Sequence, residues 1–282
     1  MQAMNKPFTI AAVIIFAMVA VVHLLRFVLG WNANIDLNPN VGERSRSGDS
    51  WWVSNRALAR ERVARMCGRI VQSSGPLRLA IVEGLDVSDS RLGNVPRRYN
   101  AAPSQELLVI RQNHKTGERS LDLLKWGLIP HWCIDPRGGR RPINAKAESV
   151  SRLPTFRDAY ALRRCIVPVD GFFEWRAIRG AGGKQPYAIA MKDGSPFGLA
   201  GLWENWRNPN TGEWERTFAV ITVPWNELVG KIHNRMPAIL EPKSYDRWLS
   251  LEPDPCDLLI SYPADAMTIW GDLYPREQAG QR

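Results

Sequence analysis

The residue with the most distinctive chemistry is Cys67, which follows Met66 in the stretch "RMCGRI" at residues 65–70. A cysteine at the first position of a chain carries a free α-amine and a thiol on adjacent carbons. The α-amine titrates near ~7.7–8.0 and the thiol near ~8.5, so both become nucleophilic close to neutral pH. An internal cysteine lacks this pair, because its nitrogen is an amide. This chemistry therefore requires Met66 to be the functional beginning of the protein.

Other polar residues stand in apolar surroundings, where a hydrogen-bonding or titratable side chain has the greatest effect. Asn144 and Lys146 alternate within "RPINAKAES", Glu174 lies inside "VDGFFEWR", and His233 precedes Arg235 by two residues in "KIHNRMPAIL". Each position also has an ordinary structural explanation: an edge strand, a rim carboxylate or a structural histidine. Taken singly, none of them predicts an activity.

The composition limits the class of protein. The chain of 282 residues has a net charge of +9, and residues 1–65 contribute +4 of it. The rest of the chain is only mildly basic, so nucleic-acid binding would need a local basic patch. The twelve tryptophans supply flat surfaces for stacking on unpaired bases.

The four cysteines, Cys67, Cys133, Cys165 and Cys256, form no CxxC pair and no zinc-binding spacing. We expect free thiols in a reducing compartment. Cys165 and Cys256 are predicted to pack as small apolar residues. The sequence contains no Walker loop, HExxH or GxSxG motif, and we expect no metal and no cofactor.

The elements that must position these residues follow from the apolar pattern. The predicted strands are 106–113, 119–130, 165–176, 186–191, 196–206 and 216–223. The first two form a predicted hairpin, and the fourth and fifth form another around Asp193-Gly194. Helices are predicted at 76–85, 155–164 and 242–250. Strands joined by hairpins, with helices between them, indicate an α+β domain with a mainly antiparallel sheet.

Residues 1–65 differ from the rest of the chain in their pattern of apolar and charged residues. The segment 8–25, "FTIAAVIIFAMVAVVHLL", carries no charged residue and is about as long as the roughly 17–25 residues that a membrane span requires. A polar linker rich in turn-forming residues follows, and nothing in residues 1–65 indicates catalysis. We therefore predict an N-terminal extension at 1–65 and a catalytic domain at 66–282.

Six stretches occur in order from Met66 onward, with suitable gaps: "MCGRI", "RYNAAPS", "WGLIPHW", "INAKAES", "GFFEWR" and "IHNRMPAIL". Together they closely resemble the SRAP family, the SOS response-associated peptidases, also called abasic-site processing proteins. The resemblance covers nearly all of the chain after Met66 and leaves out the N-terminal extension. It implies a barrel-like twisted, mainly antiparallel sheet with flanking helices around a central cleft.

The resemblance also implies an activity. Family members find abasic sites in single-stranded DNA, where the ring-opened sugar exposes an aldehyde, and link to them covalently. The amine of an N-terminal cysteine condenses with the aldehyde to an imine, and the thiol closes onto the imine carbon to give a thiazolidine. By resemblance, Cys67 is this cysteine and Asn144 holds its amine. Glu174 transfers protons, and His233 is a second acid or base or holds the sugar hydroxyl.

The same resemblance assigns DNA contacts. Basic residues hold phosphates beside the lesion, and tryptophans stack on or wedge between bases. The predicted DNA-binding residues are Arg69, Asn100, Trp126, Trp132, Lys146, Trp175 and Arg235. Lys146 stands where arginine is common in the family, so the charge is kept and the bidentate fork is lost. The rings of Phe173 and Trp175 are expected to raise the pKa of Glu174.

Three interpretations of the extension remain open. Met66 is the true start; or a membrane-anchored precursor is cut between Met66 and Cys67, by its own active site; or the extension is retained and Cys67 is blocked. The first is favoured, because a DNA-repair domain has little use for a membrane span. The expected location is then cytoplasmic and nucleoid-associated, and the alternative is a membrane anchor through residues 8–25.

Three functions also remain open. The first is a crosslinking enzyme of the SOS response to DNA damage, with lyase and self-processing peptidase activity. The second is a cysteine autopeptidase or amidohydrolase, with Cys67 attacking a carbonyl and His233 as base. The third is a non-enzymatic module that binds single-stranded DNA. We expect a monomer whose partners are single-stranded DNA with abasic sites and replication-fork proteins.

Overall fold

The computed structural model describes residues 68–75, 95–135, 141–178 and 183–271. The Cα positions divide the chain into two units, Met1–Arg62 and Val63–Arg282, and all described residues belong to the second. The predicted span at 8–25, the predicted helix at 76–85 and Cys67 lie outside the described residues. Among the helices that the structure describes, none is long and apolar enough to cross a membrane.

The described residues form thirteen strands and two α-helices. The strands are β1 (Arg69–Gln72), β2 (Arg98–Ala101), β3 (Glu106–Gln112), β4 (Arg119–Trp126), β5 (Asn144–Lys146), β6 (Arg164–Val169), β7 (Gly171–Ala177), β8 (Lys184–Met191), β9 (Phe197–Arg207), β10 (Trp214–Pro224), β11 (Arg235–Pro237), β12 (Ile239–Leu240) and β13 (Met267–Trp270). The helices are α1 (Pro154–Leu162) and α2 (Tyr245–Leu249).

Five strands close into a barrel. β10 pairs with β4, β4 with β3, β3 with β6, β6 with β9, and β9 returns to β10. All these pairs are antiparallel except that of β4 with β10. β5 and β11 extend the sheet beside β10, and β12 extends it beside β9. Every residue of β6 is buried, as expected for a strand that is covered on both faces.

A second sheet has the strand order β13-β8-β7-β1-β2 and is antiparallel throughout. Ile70, Phe172 and Ile189 of this sheet are fully buried and belong to the same hydrophobic core as the barrel strands. One face of the sheet therefore packs on the barrel. The predicted α+β fold with a mainly antiparallel, barrel-like sheet is confirmed.

The barrel ladder is shortest between β3 and β6, where Ile110 and Ile166 form the one matched pair. Gln72 of β1 fills this seam. Its Nε2 donates to the carbonyl oxygens of Leu108 at 2.9 Å and Pro168 at 2.7 Å, and its Oε1 accepts from the Leu108 N–H at 3.0 Å. Buried backbone groups need partners, so this one buried amide joins the second sheet to the barrel.

Arg164 ties the helices to the barrel. The residue is 2% exposed, and its guanidinium donates to the backbone oxygens of Tyr160, Trp248, Ser250 and Glu252 at 2.6 to 2.9 Å. A buried guanidinium is tolerated only when its N–H groups are paired. These four bonds therefore fix α1 and the end of α2 against β6.

The first predicted hairpin is confirmed by a continuous ladder between β3 and β4. α1 overlaps the predicted helix at 155–164, and α2 lies within the predicted helix at 242–250. The second predicted hairpin is wrong. Gly194 does turn the chain, with φ of 71°. However, β8 pairs with β7 and β13, whereas β9 pairs with β6, β10 and β12. The turn carries the chain between sheets, because β9 is apolar enough to be buried on both faces within the barrel wall.

Candidate functional site

The chain enters β1 beside a buried carboxylate. β1 and β7 are antiparallel, with Arg69 opposite Phe173. The same register, extended by one residue, brings Gly68 opposite Glu174. Successive side chains of a strand point to opposite faces, so Glu174 faces the barrel while Phe173 faces away. Glu174 is 1% exposed, so the start of β1 lies next to a carboxylate that is removed from bulk water.

The aromatic neighbours of Glu174 lie on the outer face of the sheet. The ring centroids of Phe173 and Trp175 are 6.5 Å apart, and both residues are partly exposed. These rings therefore lie on the face of the sheet opposite to Glu174, and their effect on its pKa stays a prediction. On the outer face, Arg69 Nη1 lies 3.4 Å from Asn100 Oδ1. The rings and this polar pair form a partly exposed surface on that face of the sheet.

Asn144 opens β5 close to the same point. β5 runs parallel to β10, with Asn144 beside Val220. The preceding residue, Ile143, has its Cδ1 3.8 Å from the position of a Cβ built on Gly68. The residue before β5 therefore lies near the start of β1, and the role of Asn144 in holding the amine of Cys67 stays a prediction.

Arg235, at the start of β11, is held by four hydrogen bonds. Its Nη1 and Nη2 donate to the two carboxylate oxygens of Glu148 at 2.6 and 2.8 Å. Nη2 also donates to the Thr222 carbonyl at 2.5 Å, and Nε donates to Thr222 Oγ1 at 3.3 Å. The hydrogen bonds from Arg235 hold the pKa of Glu148 below its usual range, and the charge of Lys146 adds to this. Two of the three basic residues predicted to bind phosphates, Lys146 and Arg235, therefore flank one carboxylate.

His233 is half-buried immediately before β11. The backbone N–H of Arg235 lies 3.1 Å from its Nδ1, and the Arg235 carbonyl oxygen lies 3.3 Å from the same atom, so Nδ1 accepts in one tautomer of the neutral ring and donates in the other. Burial holds the pKa of His233 below the ordinary value of 6.5, and the nearby charges of Lys184 and Arg235 lower it further. At neutral pH, His233 is therefore mainly uncharged and offers one donor and one acceptor nitrogen.

The three predicted stacking tryptophans differ in accessibility. Trp126 is 1% exposed, stacks on Phe218 with centroids 6.0 Å apart, and donates from Nε1 to the Ile143 carbonyl at 2.9 Å. A ring held in the core cannot receive a base, so the DNA-binding prediction for Trp126 is wrong. Trp132 is 54% exposed, and Trp175 is partly exposed. These two rings remain available for stacking.

The described cysteines are free thiols. Cys165 is fully buried, and burial raises its pKa, so the prediction that it packs as an apolar residue is confirmed. Cys256 is exposed, and the same prediction for it is wrong. Within the described ranges, no three His, Cys, Asp or Glu side chains lie close enough together to hold a metal ion.

Comparison with known proteins assigns the chain to a family. The family model described as SOS response associated peptidase (SRAP) matches residues 66–271, well over half of the chain. The chain belongs to the SRAP family. YoqW of Bacillus subtilis (strain 168) is 40% identical over 173 residues, which cover 60% of this SRAP chain and 75% of YoqW. HMCES of Xenopus tropicalis is 30% identical over 200 residues, which cover 60% of this chain and 59% of HMCES. Both relatives are named abasic site processing proteins.

Solved structures resemble this SRAP fold. A protein of Bacteroides thetaiotaomicron superposes with a TM-score of 0.64 at 28% identity, over 72% of this chain and 91% of that protein. A protein of Bordetella bronchiseptica superposes with a TM-score of 0.62 at 26% identity, over 74% of this chain and 100% of that protein. The barrel and the second sheet are therefore a shared SRAP architecture.

Two residues of the SRAP site have no clear signal in the sequence. Thr222 contacts Arg235 twice and also donates to the Ala145 carbonyl at 3.3 Å, yet it reads as one more residue of an apolar strand. Glu148 follows Asn144 and Lys146 at the next alternating position, but its partner Arg235 is 87 residues away. Only the register of β5, β10 and β11 shows that these side chains meet.

Proposed function

We propose that this SRAP chain processes abasic sites in single-stranded DNA and attaches to the exposed aldehyde through Cys67. One observation carries the proposal: the register of β1 and β7 brings Gly68, the residue bonded to Cys67, opposite the buried Glu174. The names of the similar proteins YoqW and HMCES, both abasic site processing proteins, support the choice of substrate.

The reaction uses both nucleophiles of an N-terminal cysteine. The α-amine attacks the aldehyde carbon, and loss of water leaves an imine. The thiolate then adds to the imine carbon, the nitrogen takes up a proton, and a thiazolidine ring closes. These steps change no oxidation state, so they need neither an oxidant nor a reductant. Cys67 reacts in this way only when the peptide bond to Met66 is absent.

The surrounding residues take distinct parts in the proposed reaction. Glu174 lies out of bulk water and moves protons between the attacking amine and the departing hydroxyl. Asn144, the residue after Ile143, holds the amine. His233 donates a hydrogen bond from Nε2 to an oxygen of the opened sugar. A single buried carboxylate with two neutral hydrogen-bonding groups suits a reaction that both releases and consumes protons.

The proposed DNA contacts lie around this centre. Arg69 and Asn100 bind the backbone on the outer face of the second sheet, and Trp175 stacks on a base beside them. Lys146 is exposed and binds a phosphate, and the exposed Trp132 offers a second stacking surface. Stacking requires uncovered base faces, so single strands and junctions should bind more tightly than intact duplex.

The decisive test is a heat-stable adduct with an oligonucleotide that contains one abasic site. A chain that starts at Met66 and loses this methionine should form the adduct, because Cys67 then has a free amine. A chain with an uncleaved residue before Cys67 should form none. Equal yields from both, with the blocked terminus confirmed by intact mass, would rule out the thiazolidine mechanism.

Glu174→Gln separates a catalytic role from a structural one. We expect crosslinking to slow by ~10²–10⁴-fold, the usual contribution of a positioned acid or base, with DNA affinity and melting temperature retained. Glu204→Gln is a matched control, since Glu204 is a buried glutamate of β9 that accepts from Arg163 at 2.8 Å. This control should lower the melting temperature and leave the crosslinking rate unchanged. If Glu174→Gln melts far below wild type and binds no DNA, its catalytic role is unsupported.

Self-cleavage is a second candidate, favoured by the peptidase description of the family. The Cys67 thiol would attack the Met66 carbonyl with His233 as base, and water would hydrolyse the resulting thioester. Release of residues 1–66 would then free the amine for crosslinking. Intact mass of the purified 282-residue chain tests this: a product beginning at Cys67 should accumulate in the wild type and not in Cys67→Ser. An unchanged mass would leave crosslinking dependent on another route to the free terminus.

A further inference from the structure

Arg235 has little hydrogen-bonding capacity left for a ligand. A guanidinium carries five N–H donors. Two are taken by the Glu148 carboxylate, one by Thr222 Oγ1 and one by the Thr222 carbonyl. No described residue takes the second N–H of Nη1, and the Arg235 side chain is 12% exposed. A phosphate therefore cannot receive two parallel hydrogen bonds from Arg235 while Glu148 stays in place.

The exposure of Glu148 allows its side chain to leave this position. Its side chain is 52% exposed and covers the guanidinium, so its rotation opens Arg235 without movement of β10 or β11. Arg152 Nη2 donates to the Glu148 backbone oxygen at 2.8 Å, which fixes the backbone of the turn independently of the side chain. The two bonds to Thr222 keep the guanidinium oriented after Glu148 has left. The two N–H donors that Glu148 occupied are then open. A phosphate accepts the same pair of guanidinium donors as a carboxylate does.

We propose that Glu148 is an internal competitor for a DNA phosphate at Arg235 and thereby sets the specificity for damaged strands. Every strand that enters the cleft must displace this carboxylate. An intact strand makes only reversible contacts, so the competition lowers its affinity directly. A strand with an aldehyde is retained by the covalent bond despite the same competition. The inference rests on the proposed crosslinking function, and it assigns Glu148 the role of keeping the protein off undamaged single strands.

The test is Glu148→Gln in the 282-residue chain, with an undamaged single-stranded oligonucleotide as the probe. We expect the Kd to fall about five-fold near 50 mM salt, the factor typical of one partly exposed ion pair. In a chain that begins at Cys67 and can form the adduct, undamaged competitor should inhibit crosslinking at a lower concentration in Glu148→Gln than in the wild type.

Two controls separate competition from a general charge effect. Glu215→Gln removes a carboxylate of β10 that pairs with Lys125 at 3.0 Å. Glu215 lies seven residues before Thr222, about 23 Å along the strand, so its loss should change the Kd less than two-fold. In the Arg235→Gln background, Glu148→Gln should give no gain, because the contested guanidinium is absent.

Three results would overturn the inference: equal or weaker binding by Glu148→Gln, a gain that persists in the Arg235→Gln background, or the same gain in Glu215→Gln. Glu148→Ala is a second variant if the glutamine form is unstable, since truncation of a half-exposed side chain leaves no cavity. A wild-type chain that begins at Cys67 and forms no adduct would refute the proposed function. A wild type that crosslinks while Glu148→Gln shows no gain would refute only the role of Glu148.

Discussion

Replacement of Gln72 by alanine tests whether one side chain holds the barrel seam together. The change removes three hydrogen bonds of 2.7 to 3.0 Å and leaves the Leu108 N–H and the Leu108 and Pro168 carbonyls without this partner. A hydrogen bond contributes about 0.5–1.5 kcal/mol net, so the free energy of unfolding should fall by about 3 kcal/mol. For a domain of this size, that loss lowers the melting temperature by roughly 6–12 °C.

Urea denaturation of Gln72→Ala and Gln72→Leu measures the effect. Leucine restores most of the lost volume and none of the hydrogen bonds, so both variants should lose similar stability if the bonds decide the outcome. If Gln72→Leu is close to wild type, packing is the main contribution. A loss below about 1 kcal/mol in both variants would refute the reasoning, because water or a backbone shift would then satisfy the seam.

Two further predictions concern stability. Burial lowers the pKa of His233 in the folded chain, so the unfolded chain binds this proton more readily. The contribution of His233 to the free energy of unfolding should therefore be fully present above pH 6.5 and should be lost as the pH drops through the folded pKa. His233→Gln should flatten this part of the stability–pH curve from urea denaturation, and an unchanged slope would contradict the burial argument. Arg164→Lys should lower the free energy of unfolding by about 2–3 kcal/mol in the same assay, because one ammonium cannot reach four carbonyls. A loss within about 0.5 kcal/mol would show that the fork is dispensable.

Local patterns predicted the elements whose partners are near in sequence. β3 and β4 are joined by a short polar turn, so their pairing could be read directly from alternating apolar segments. The same holds for α1, whose apolar positions recur with helical spacing and bury Phe156, Ala159 and Tyr160. The family resemblance predicted that Asn144 holds the amine of Cys67, and the 3.8 Å between Ile143 Cδ1 and a Cβ built on Gly68 agrees with that placement without testing it.

Pairings between distant segments left no local trace. The turn at Gly194 was recognisable, but which sheet each flanking strand joins depends on the whole core. Trp126 and Trp132 come from one motif, and only the packing of Trp126 on Phe218 separates a core ring from a surface ring. The face on which Glu174 lies also depended on the register of β7 with β1. Composition around a residue therefore could not tell which groups would surround it.

The pairing of β1 with β7 has a consequence for synthesis on the ribosome. Arg69 pairs with Phe173, and at about 5–20 residues per second the roughly 100 residues between them take some 5–20 s to be made. Until β7 has emerged, Gly68 has no Glu174 opposite it. In a chain that begins at Met66, the methionine can therefore be removed before the second sheet assembles. Under the proposed function, the free amine of Cys67 would then exist before the carboxylate that acts on it is in place.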